Sequence, residues 1–394
     1  MGSMPSSESA PKKWSSWPRL IGLVIMPLSI CLVGATPERT RVANVNDFVA
    51  YWSAASLITH GQNPYASDAV LSLEKEVGFT GSTPLIMRNP PWIVPIIAPL
   101  GFLSFGVAQR LWLIVGLVAI LTSSKWLWDL YRVEGQSRVV TGLAVATFAP
   151  IPVALAIGQA SPLVLLGIAG FLHFQQREKL GWAGAFLFLA ALKPHLIFLV
   201  WVALALLSIY KRSARTVSLL ILTTMISSLI AISLDHSIFF QYAQMLAKEK
   251  VAQELTPTLG GLIRLWTGFY LAEYLPAIVA LGWIIFHSRR QQDQWNWTKE
   301  MPTIMLLSLL TTPYGWFFDQ VMLLPCLFKA VYWLRASCPL PLRLGIVSSY
   351  LIANAAVLTL ILLHLTTFWY AWTMPAWFML YILPRIATYT NEWM

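Results

Sequence analysis

The chain has 394 residues, of which 57% are hydrophobic and only 11% are charged, whereas soluble domains carry roughly 25% charged residues. Because apolar runs recur along the whole length, this composition excludes a soluble protein and predicts one continuous membrane domain. The net charge of +10 is typical of cytoplasmic loops and argues against nucleic-acid binding, since no basic face is free of membrane segments.

The N-terminal part of the chain predicts a tail followed by a membrane anchor. Residues 1–18 are polar and basic, which predicts a cytoplasmic N-terminal tail. The apolar run Leu20–Ala35 is at the short end for a span, and a cleaved signal peptide is the alternative. The missing cleavage site and the further spans favour a retained anchor. This leaves residues 19–394 as a single membrane domain and places residues 36–90 outside the cytoplasm as the first outer loop.

The segment Asn44–Tyr65 lies in the longest polar interval of the chain, and Asp47 is its only carboxylate. Aromatic and aliphatic residues follow Asp47 at helical spacing, which predicts an amphipathic helix over Asp47–His60 that lies along a membrane surface. Gly61 ends this helix, and Asn63-Pro64-Tyr65 forms a turn. We interpret the rest of the chain as a hydrophobic scaffold that holds this segment at the boundary between water and lipid.

The next segments lead back to the membrane. A second amphipathic helix is predicted over Ser67–Val77, with Ser67 or Asp68 as its N-cap. Residues 92–105 are apolar but contain helix breakers, which predicts a re-entrant piece or a short helix packed on protein. The run Gln109–Leu130 is long enough to span. The sequence leaves open whether this region makes one crossing or two.

The remaining apolar segments alternate with basic clusters, which predicts an all-α polytopic membrane protein with about ten to twelve crossings and both ends in the cytoplasm. In chain order these segments are Val139–Ile157, Leu163–Phe174, 181–192, 194–210, Val217–Leu234, Gly260–Phe286, Pro302–Thr312, a segment from Phe317, Leu344–Leu363 and Phe368–Leu383. Residues 235–258 are polar and amphipathic, and they predict a second outer surface segment.

Charged groups are expensive in a membrane, and in this chain the polar groups fall on one side of it. A charged side chain at the bilayer centre costs at least about 2.5–3.5 kcal/mol, so each one requires a physical reason. Under the predicted topology, the outer loops and the outer ends of segments carry the candidate catalytic and substrate-binding groups. These groups are Asp47, Tyr51, Asn63, Tyr65, Arg88, Asn89, Gln159, Lys193, His195, Tyr314 and Asp319.

Several of these groups have structural alternatives that the sequence leaves open. Lys193 precedes a proline and is interpreted as an anion clamp, although a lysine at a helix break also snorkels to water. Asp47 fits a catalytic base or a helix N-cap. His195 fits a base or a hydrogen-bonded interfacial histidine, and Asp319 fits a structural partner of a lysine or arginine. Tyr51 fits packing as well as contact with a sugar.

Five stretches of the chain carry a family resemblance. They are DFVAYWSAASLITHGQNPY from Asp47, NPPWIVPIIAPL from Asn89, GQASPLVLLGIAGFL from Gly158, AGAFLFLAALKPHL from Ala183 and TPYGWFFDQVMLLP from Thr312. In this order they resemble glycosyltransferase family 87, over roughly Asn44 to Pro325. That family includes polyprenyl-phosphate-mannose-dependent mannosyltransferases of mycobacterial phosphatidylinositol mannoside synthesis.

The resemblance implies the C-type glycosyltransferase fold, in which the first outer loop of a helical membrane protein carries the catalytic aspartate, here Asp47. It also implies a polyprenyl-phosphate sugar as the donor and an inverting single displacement without a nucleotide. The stretch Lys193–His195 is expected near the donor phosphate. Many relatives carry histidines in the last motif, where this chain has Phe317-Phe318-Asp319. No histidine partner from that motif is therefore assumed, and the identity of the acceptor stays open.

The resulting hypothesis is a membrane glycosyltransferase that transfers a sugar, with mannose as the family-weighted choice, to a hydroxyl of a lipid or glycan acceptor. Its expected partners are membrane lipids, the polyprenyl-phosphate sugar and the glycolipid or glycan acceptor, without nucleic acid. No cofactor and no metal are expected, because no carboxylate cluster is present. The expected location is the bacterial inner membrane, with the active site facing the periplasm or exterior. A transporter or flippase of lipid-linked sugars is the alternative, although no internal repeat is found.

Overall fold

The computed structural model of the protein describes residues 46–133, 135–211, 214–249, 254–363, 365 and 367–391. The predicted tail of residues 1–18 and the first apolar run, Leu20–Ala35, lie outside the described residues. Within the described ranges the regular structure is helical and contains no strand. The predicted all-α class is therefore confirmed.

Seventeen α-helices follow one another in the described residues, and short 3₁₀ turns join several of them. The helices are α1 (Phe48–Thr59), α2 (Ser67–Glu76), α3 (Val94–Ile97), α4 (Phe105–Tyr131), α5 (Arg138–Ala146), α6 (Pro150–Ala156), α7 (Ser161–Gln176), α8 (Leu180–Ala190), α9 (Phe198–Lys211), α10 (Ala214–Leu234), α11 (Ile238–Glu249), α12 (Leu259–Thr267), α13 (Leu275–Arg290), α14 (Trp297–Thr311), α15 (Leu324–Ser337), α16 (Leu340–Leu362) and α17 (Thr373–Asn391). The 3₁₀ turns are Pro91–Ile93, Ala98–Phe102, Pro194–Ile197, Tyr270–Tyr274, Phe317–Leu323 and Thr367–Tyr370.

Five helical segments in the described part of the chain are long and apolar enough to cross a membrane. They are Phe105–Tyr131, Ala214–Leu234, Tyr270–Arg290, Phe317–Ala336 and Leu340–Leu362. Helices α5 and α6 add a sixth if the 52° bend between them lies within one span. The protein is thus a multi-pass membrane protein. The predicted count of about ten to twelve also included helices α7, α8 and α14, which are too short to cross alone.

Helix α1 differs from the predicted surface helix. Ten of its twelve residues are buried, so it has no solvent face along most of its length. The cause is the broken segment 91–103, which packs over α1 as the short helix predicted for this region. Trp52 Nε1 donates to the Leu103 carbonyl at 3.0 Å. Gly101 lies so close to α1 that an added Cβ would overlap the Ala55 carbonyl oxygen.

Helix α2 lies where the second surface helix was predicted, but the predicted N-cap is wrong. The helix begins at Ser67, its N-cap position is Ala66, and no side chain caps it. Only Val70 and Glu74 of this helix are buried, which is the exposure expected of an amphipathic helix. One long span, α4, follows the short pieces of residues 91–102.

The scaffold brings several helix breaks to one end of the bundle. Helix α7 packs between α4 and α8, and α8 packs in turn against α10. The start of α1, the α6–α7 turn, the break between α8 and α9 and the break between α14 and α15 lie together, because residues of all four line one cavity. Backbone at such breaks is tolerated at membrane depth only where protein or a cavity surrounds it.

Candidate active site

The position of Asp47 depends on the turn between α6 and α7. The Phe48 amide donates to Ile157 O at 3.2 Å and to Asn46 Oδ1 at 2.9 Å. Gly158 has a φ of +73°, and an added Cβ there would lie 2.5 Å from Phe48 Cβ. A residue with a side chain would be strained at this φ and would push the segment away. The turn and the start of α1 are therefore fitted to each other through a glycine.

The carboxylate of Asp47 does not cap its helix. Asp47 occupies the N-cap position of α1, but its side chain makes no capping hydrogen bond. It instead accepts a hydrogen bond from Gln159 Nε2, across the α6–α7 turn. The Asp47 side chain therefore does not act as a structural N-cap. Its carboxylate is directed into the cavity.

A continuous polar chain runs from Asp47 to Asp319. Gln159 Nε2 donates to Asp47, and Gln159 Oε1 accepts from Lys193 Nζ at 2.7 Å. Lys193 Nζ also donates to Asp319 Oδ1 at 2.7 Å and to Ser161 Oγ at 3.1 Å. An ammonium has three N–H donors, so all the donors of Lys193 are engaged. The lysine can contact a phosphate only by exchanging one of these bonds.

Asp319 is the buried end of this chain. Its carboxylate is 2% exposed, and it also accepts from Ser161 Oγ at 2.6 Å and from the Trp316 amide at 3.2 Å. These contacts fit the alternative that Asp319 is a structural partner of a lysine, here Lys193. A buried carboxylate with these partners stabilises the break before α15 because each oxygen is hydrogen-bonded.

Arg88 forms a second, more accessible polar group. Its guanidinium contacts both carboxylate oxygens of Glu254, one of them at 2.6 Å, and donates to Tyr314 OH at 3.0 Å. Its backbone carbonyl accepts from Tyr242 OH at 3.2 Å. Arg88 thereby joins the predicted first outer loop, residues 36–90, to the predicted surface segment 235–258, which supplies Tyr242 and Glu254.

These groups surround one cavity of about 430 Å³. Nine of the eleven predicted residues line it: Asp47, Tyr51, Arg88, Asn89, Gln159, Lys193, His195, Tyr314 and Asp319. Sequence reasoning missed Glu254 and Tyr242, which also line the cavity. Their only signal was their place in the predicted outer segment 235–258.

Two predicted residues do not line the cavity. Asn63 Oδ1 accepts from the Tyr65 amide at 2.9 Å, which is the turn that the sequence predicts. The Tyr65 ring packs against the Tyr242 ring, with centroids 5.6 Å apart. Tyr65 therefore contacts the cavity wall through Tyr242, and Asn63 forms the turn that holds Tyr65.

Two further lining residues occupy different roles. Asn89 Nδ2 donates to Leu192 O at 2.8 Å, so this amide ties the outer loop to the backbone next to Lys193. His195 is exposed into the cavity, and its ring packs edge-on against Tyr314, with centroids 5.4 Å apart. Asn89 is a positioning group, whereas the His195 ring is accessible to a ligand.

Burial changes the acidity of Asp47. Desolvation raises the pKa of its carboxyl group to about 6, while the charge of Lys193 and the hydrogen bond from Gln159 act in the opposite direction. A carboxylate with a pKa near the working pH is a suitable proton acceptor. The site thus combines an acceptor for a proton with two cations, each held by a carboxylate.

Comparison with known proteins gives one match. The sequence model of glycosyltransferase family 87 matches residues 88–313, which is more than half of the chain. No curated protein and no solved structure matches it. The matched range contains Arg88, Gln159 and Lys193 of the cavity, and the chain therefore belongs to glycosyltransferase family 87.

Proposed function

We propose that this membrane glycosyltransferase transfers a sugar from a polyprenyl-phosphate donor to a hydroxyl of a lipid or glycan acceptor, with inversion at the anomeric carbon. Mannose is the sugar proposed, from the family resemblance. The observation that carries the proposal is the polar chain from Asp47 through Gln159 and Lys193 to Asp319 in one cavity. It offers a proton acceptor and a buried cation side by side.

In the proposed reaction, the acceptor hydroxyl attacks the anomeric carbon of the donor. The hydroxyl proton passes to the Asp47 carboxylate, and the bond between the anomeric carbon and the phosphate oxygen breaks. The products are the glycosylated acceptor and polyprenyl phosphate. A single displacement requires the base and the leaving group on opposite faces of the sugar, so the sugar ring would lie between Asp47 and a phosphate bound by Arg88.

The leaving phosphate gains negative charge as the bond breaks, and cations in the cavity are placed to stabilise it. Arg88 is the more accessible cation, with 30% of its side chain exposed against 11% for Lys193. We propose that the donor phosphate contacts Arg88 first and displaces Glu254 from the guanidinium, because a phosphate accepts the same bidentate pair of hydrogen bonds. His195 and Tyr314 are candidates for the remaining contacts.

We place the cavity on the outer face of a bacterial inner membrane. Helices that begin beside the cavity end at basic residues: α4 is followed by Arg132, α7 by Arg177, and α15 contains Arg335 in its last turn. Helix α14 runs the other way, with Lys299 in its first turn and Thr311 at the cavity end. An excess of lysine and arginine marks the cytoplasmic side, which supports an outward-facing cavity.

The proposal is tested by Asp47→Asn in purified enzyme with a short-chain polyprenyl-phosphate mannose and a membrane lipid extract as the acceptor source. Loss of a general base is expected to lower transfer by about 10²–10⁴-fold. Asp68→Asn is the matched control, since Asp68 is an exposed carboxylate of the same outer loop and should leave transfer unchanged.

Two results would overturn the proposal. Full transfer by Asp47→Asn would remove this residue from the chemistry. Movement of the lipid-linked sugar across vesicles, with no transfer to any acceptor in the extract, would favour a flippase instead.

A further inference from the structure

One wall of the cavity is formed by three aromatic side chains from a single short segment of the chain. Tyr314, Trp316 and Phe318 all line the cavity, and each is half-buried. The centroid of the Trp316 ring lies 6.2 Å from that of Tyr314, which it meets edge to face. It also lies 6.2 Å from the centroid of Phe318, with an angle of only 8° between the two ring planes. Trp316 is therefore the middle member of this aromatic wall.

The two ends of the aromatic wall lie at the two cations of the cavity. At one end, Tyr314 OH accepts a hydrogen bond from Arg88 Nη1 at 3.0 Å. At the other end, the ring centroid of Phe318 lies 5.3 Å from Lys193 Nζ, which is a cation–π contact. The indole of Trp316 thus occupies the part of the wall between the cations.

The segment that carries the aromatic wall is held by its own backbone contacts. The Trp316 amide donates to Asp319 Oδ2 at 3.2 Å, and Thr312 Oγ1 donates to the Tyr314 carbonyl oxygen at 3.0 Å. Gly315 lies between these two contacts, and a Cβ added there would lie only 3.1 Å from Thr312 Cγ2. A wall fixed in this way loses little conformational freedom when a ligand packs on it.

We propose that Trp316 is the platform on which the sugar ring of the donor packs. The inference rests on the proposed function, in which the sugar lies between Asp47 and a phosphate bound by Arg88. Lys193 is joined to Asp47 through Gln159, so the aromatic wall runs from the phosphate position towards the base. A pyranose exposes C–H groups on one face, and such groups pack against the electron-rich face of an aromatic ring. The donor is then recognised by its sugar as well as by its phosphate.

The test compares the binding of two ligands to purified protein in a neutral detergent by isothermal titration calorimetry. One ligand is a short-chain polyprenyl-phosphate mannose, and the other is the polyprenyl phosphate of the same chain length, which has no sugar. Trp316→Leu should weaken the binding of the first ligand about fivefold and leave that of the second unchanged, because only the first has a ring that packs on the indole. Trp316→Phe keeps an aromatic face and should retain most of the affinity.

Trp182→Leu is the matched control for the loss of a tryptophan. Trp182 is exposed at the start of α8, whereas the break that lines the cavity follows the other end of this helix. Both titrations should therefore be unchanged in Trp182→Leu. If Trp316→Leu does not fold, saturation-transfer NMR on the wild-type protein replaces it. Saturation of the aromatic protons should then reach the C–H protons of the bound mannose.

The outcomes separate this inference from the proposed function. Equal weakening of both ligands in Trp316→Leu, an unchanged affinity for both, or no saturation transfer to the bound sugar would overturn the inference and leave the proposed donor intact. A wild-type protein that does not bind the mannose-bearing ligand would instead contradict the proposed donor, and this inference with it.

Discussion

The acidity of Asp47 sets an expectation for the pH dependence of transfer. Burial raises the pKa of this carboxyl to about 6, and only the ionised form can accept a proton. The transfer rate should therefore rise as pH increases through about 6 and fall below it. Initial rates between roughly pH 4.5 and 8.5 would measure this profile.

A variant of Gln159 tests whether the pH dependence of transfer comes from Asp47. Its hydrogen bond lowers the pKa of Asp47, so Gln159→Leu should move the inflection to higher pH. A rate that does not vary across this range, or an inflection that moves to lower pH in Gln159→Leu, would contradict the role of Asp47 as the base.

The ion pair between Lys193 and Asp319 makes a simple test of Lys193 misleading. Removing one partner of a buried pair leaves an uncompensated charge and costs about 3–5 kcal/mol. Lys193→Met should accordingly lower the free energy of unfolding. Combining it with Asp319→Asn should restore part of the loss, because the stranded charge is removed as well.

Two measurements separate stability from donor binding. The double variant should have a higher unfolding midpoint than Lys193→Met, and an equal or lower midpoint would contradict the expected recovery of stability. The donor concentration for half-maximal transfer should rise in the folded double variant. An unchanged donor requirement would restrict Lys193 to a structural role.

Helix α2 holds one wall of the cavity through a buried carboxylate. Glu74 is 0% exposed, and its two oxygens lie 3.1 and 3.2 Å from the Leu85 amide, which donates to them. Leu85 lines the cavity. The pKa of Glu74 is raised to about 7, because the effect of burial exceeds the opposite effect of the hydrogen bond from the Leu85 amide. The neutral form of Glu74 is thus favoured by folding.

This shift predicts a pH-dependent stability. A group whose pKa is raised on folding contributes stability that is present below its unfolded pKa and is lost as pH rises through its folded pKa. For Glu74 this window lies between about 4.5 and 7. Glu74→Gln keeps an acceptor for Leu85 but cannot ionise, so it should be more stable than wild type at pH 8, by about 1–3 kcal/mol. Denaturation curves at pH 5 and pH 8 would measure it, and an equal pH dependence in both proteins would contradict it.

The turn between α6 and α7 predicts a specific effect of a single methyl group. Gly158→Ala should destabilise the protein by more than about 1–2 kcal/mol, because strain at positive φ is added to overlap with Phe48. Transfer should fall as well, since Asp47 precedes Phe48. Gly106→Ala is the control, as nothing lies within 4 Å of a Cβ added there. Equal stability and equal transfer in Gly158→Ala and Gly106→Ala would show that the close contact between the turn and α1 does not position Asp47.

The distribution of basic residues over the whole molecule predicts its orientation. A membrane-impermeant maleimide should label Asp68→Cys in intact cells and should label Lys179→Cys only after permeabilisation. The unsubstituted protein measures background labelling of the native cysteines, of which Cys326 and Cys338 are buried. The reverse pattern would place the cavity in the cytoplasm and would remove the outward-facing assignment.

Much of the candidate site could be predicted from the sequence because charged groups in an apolar chain are rare. Arg88, Lys193 and Asp319 each stand out against their neighbours, and the positive-inside rule places them on one side. Their pairing could not be predicted, since several cations and carboxylates share that side. Glu254 was missed for the same reason: it lies in a segment with other charged residues, and only contact with Arg88 distinguishes it.

At the level of the whole protein, the sequence by itself determined a helical membrane protein, the approximate bounds of its helices and the polar residues gathered at one end. These properties follow from composition and from local periodicity. Only the tertiary structure decided that α1 is buried, that all donors of Lys193 are engaged and that Asp47 contacts Gln159. Such contacts join residues far apart in the chain, and they depend on which surfaces pack together rather than on any local pattern.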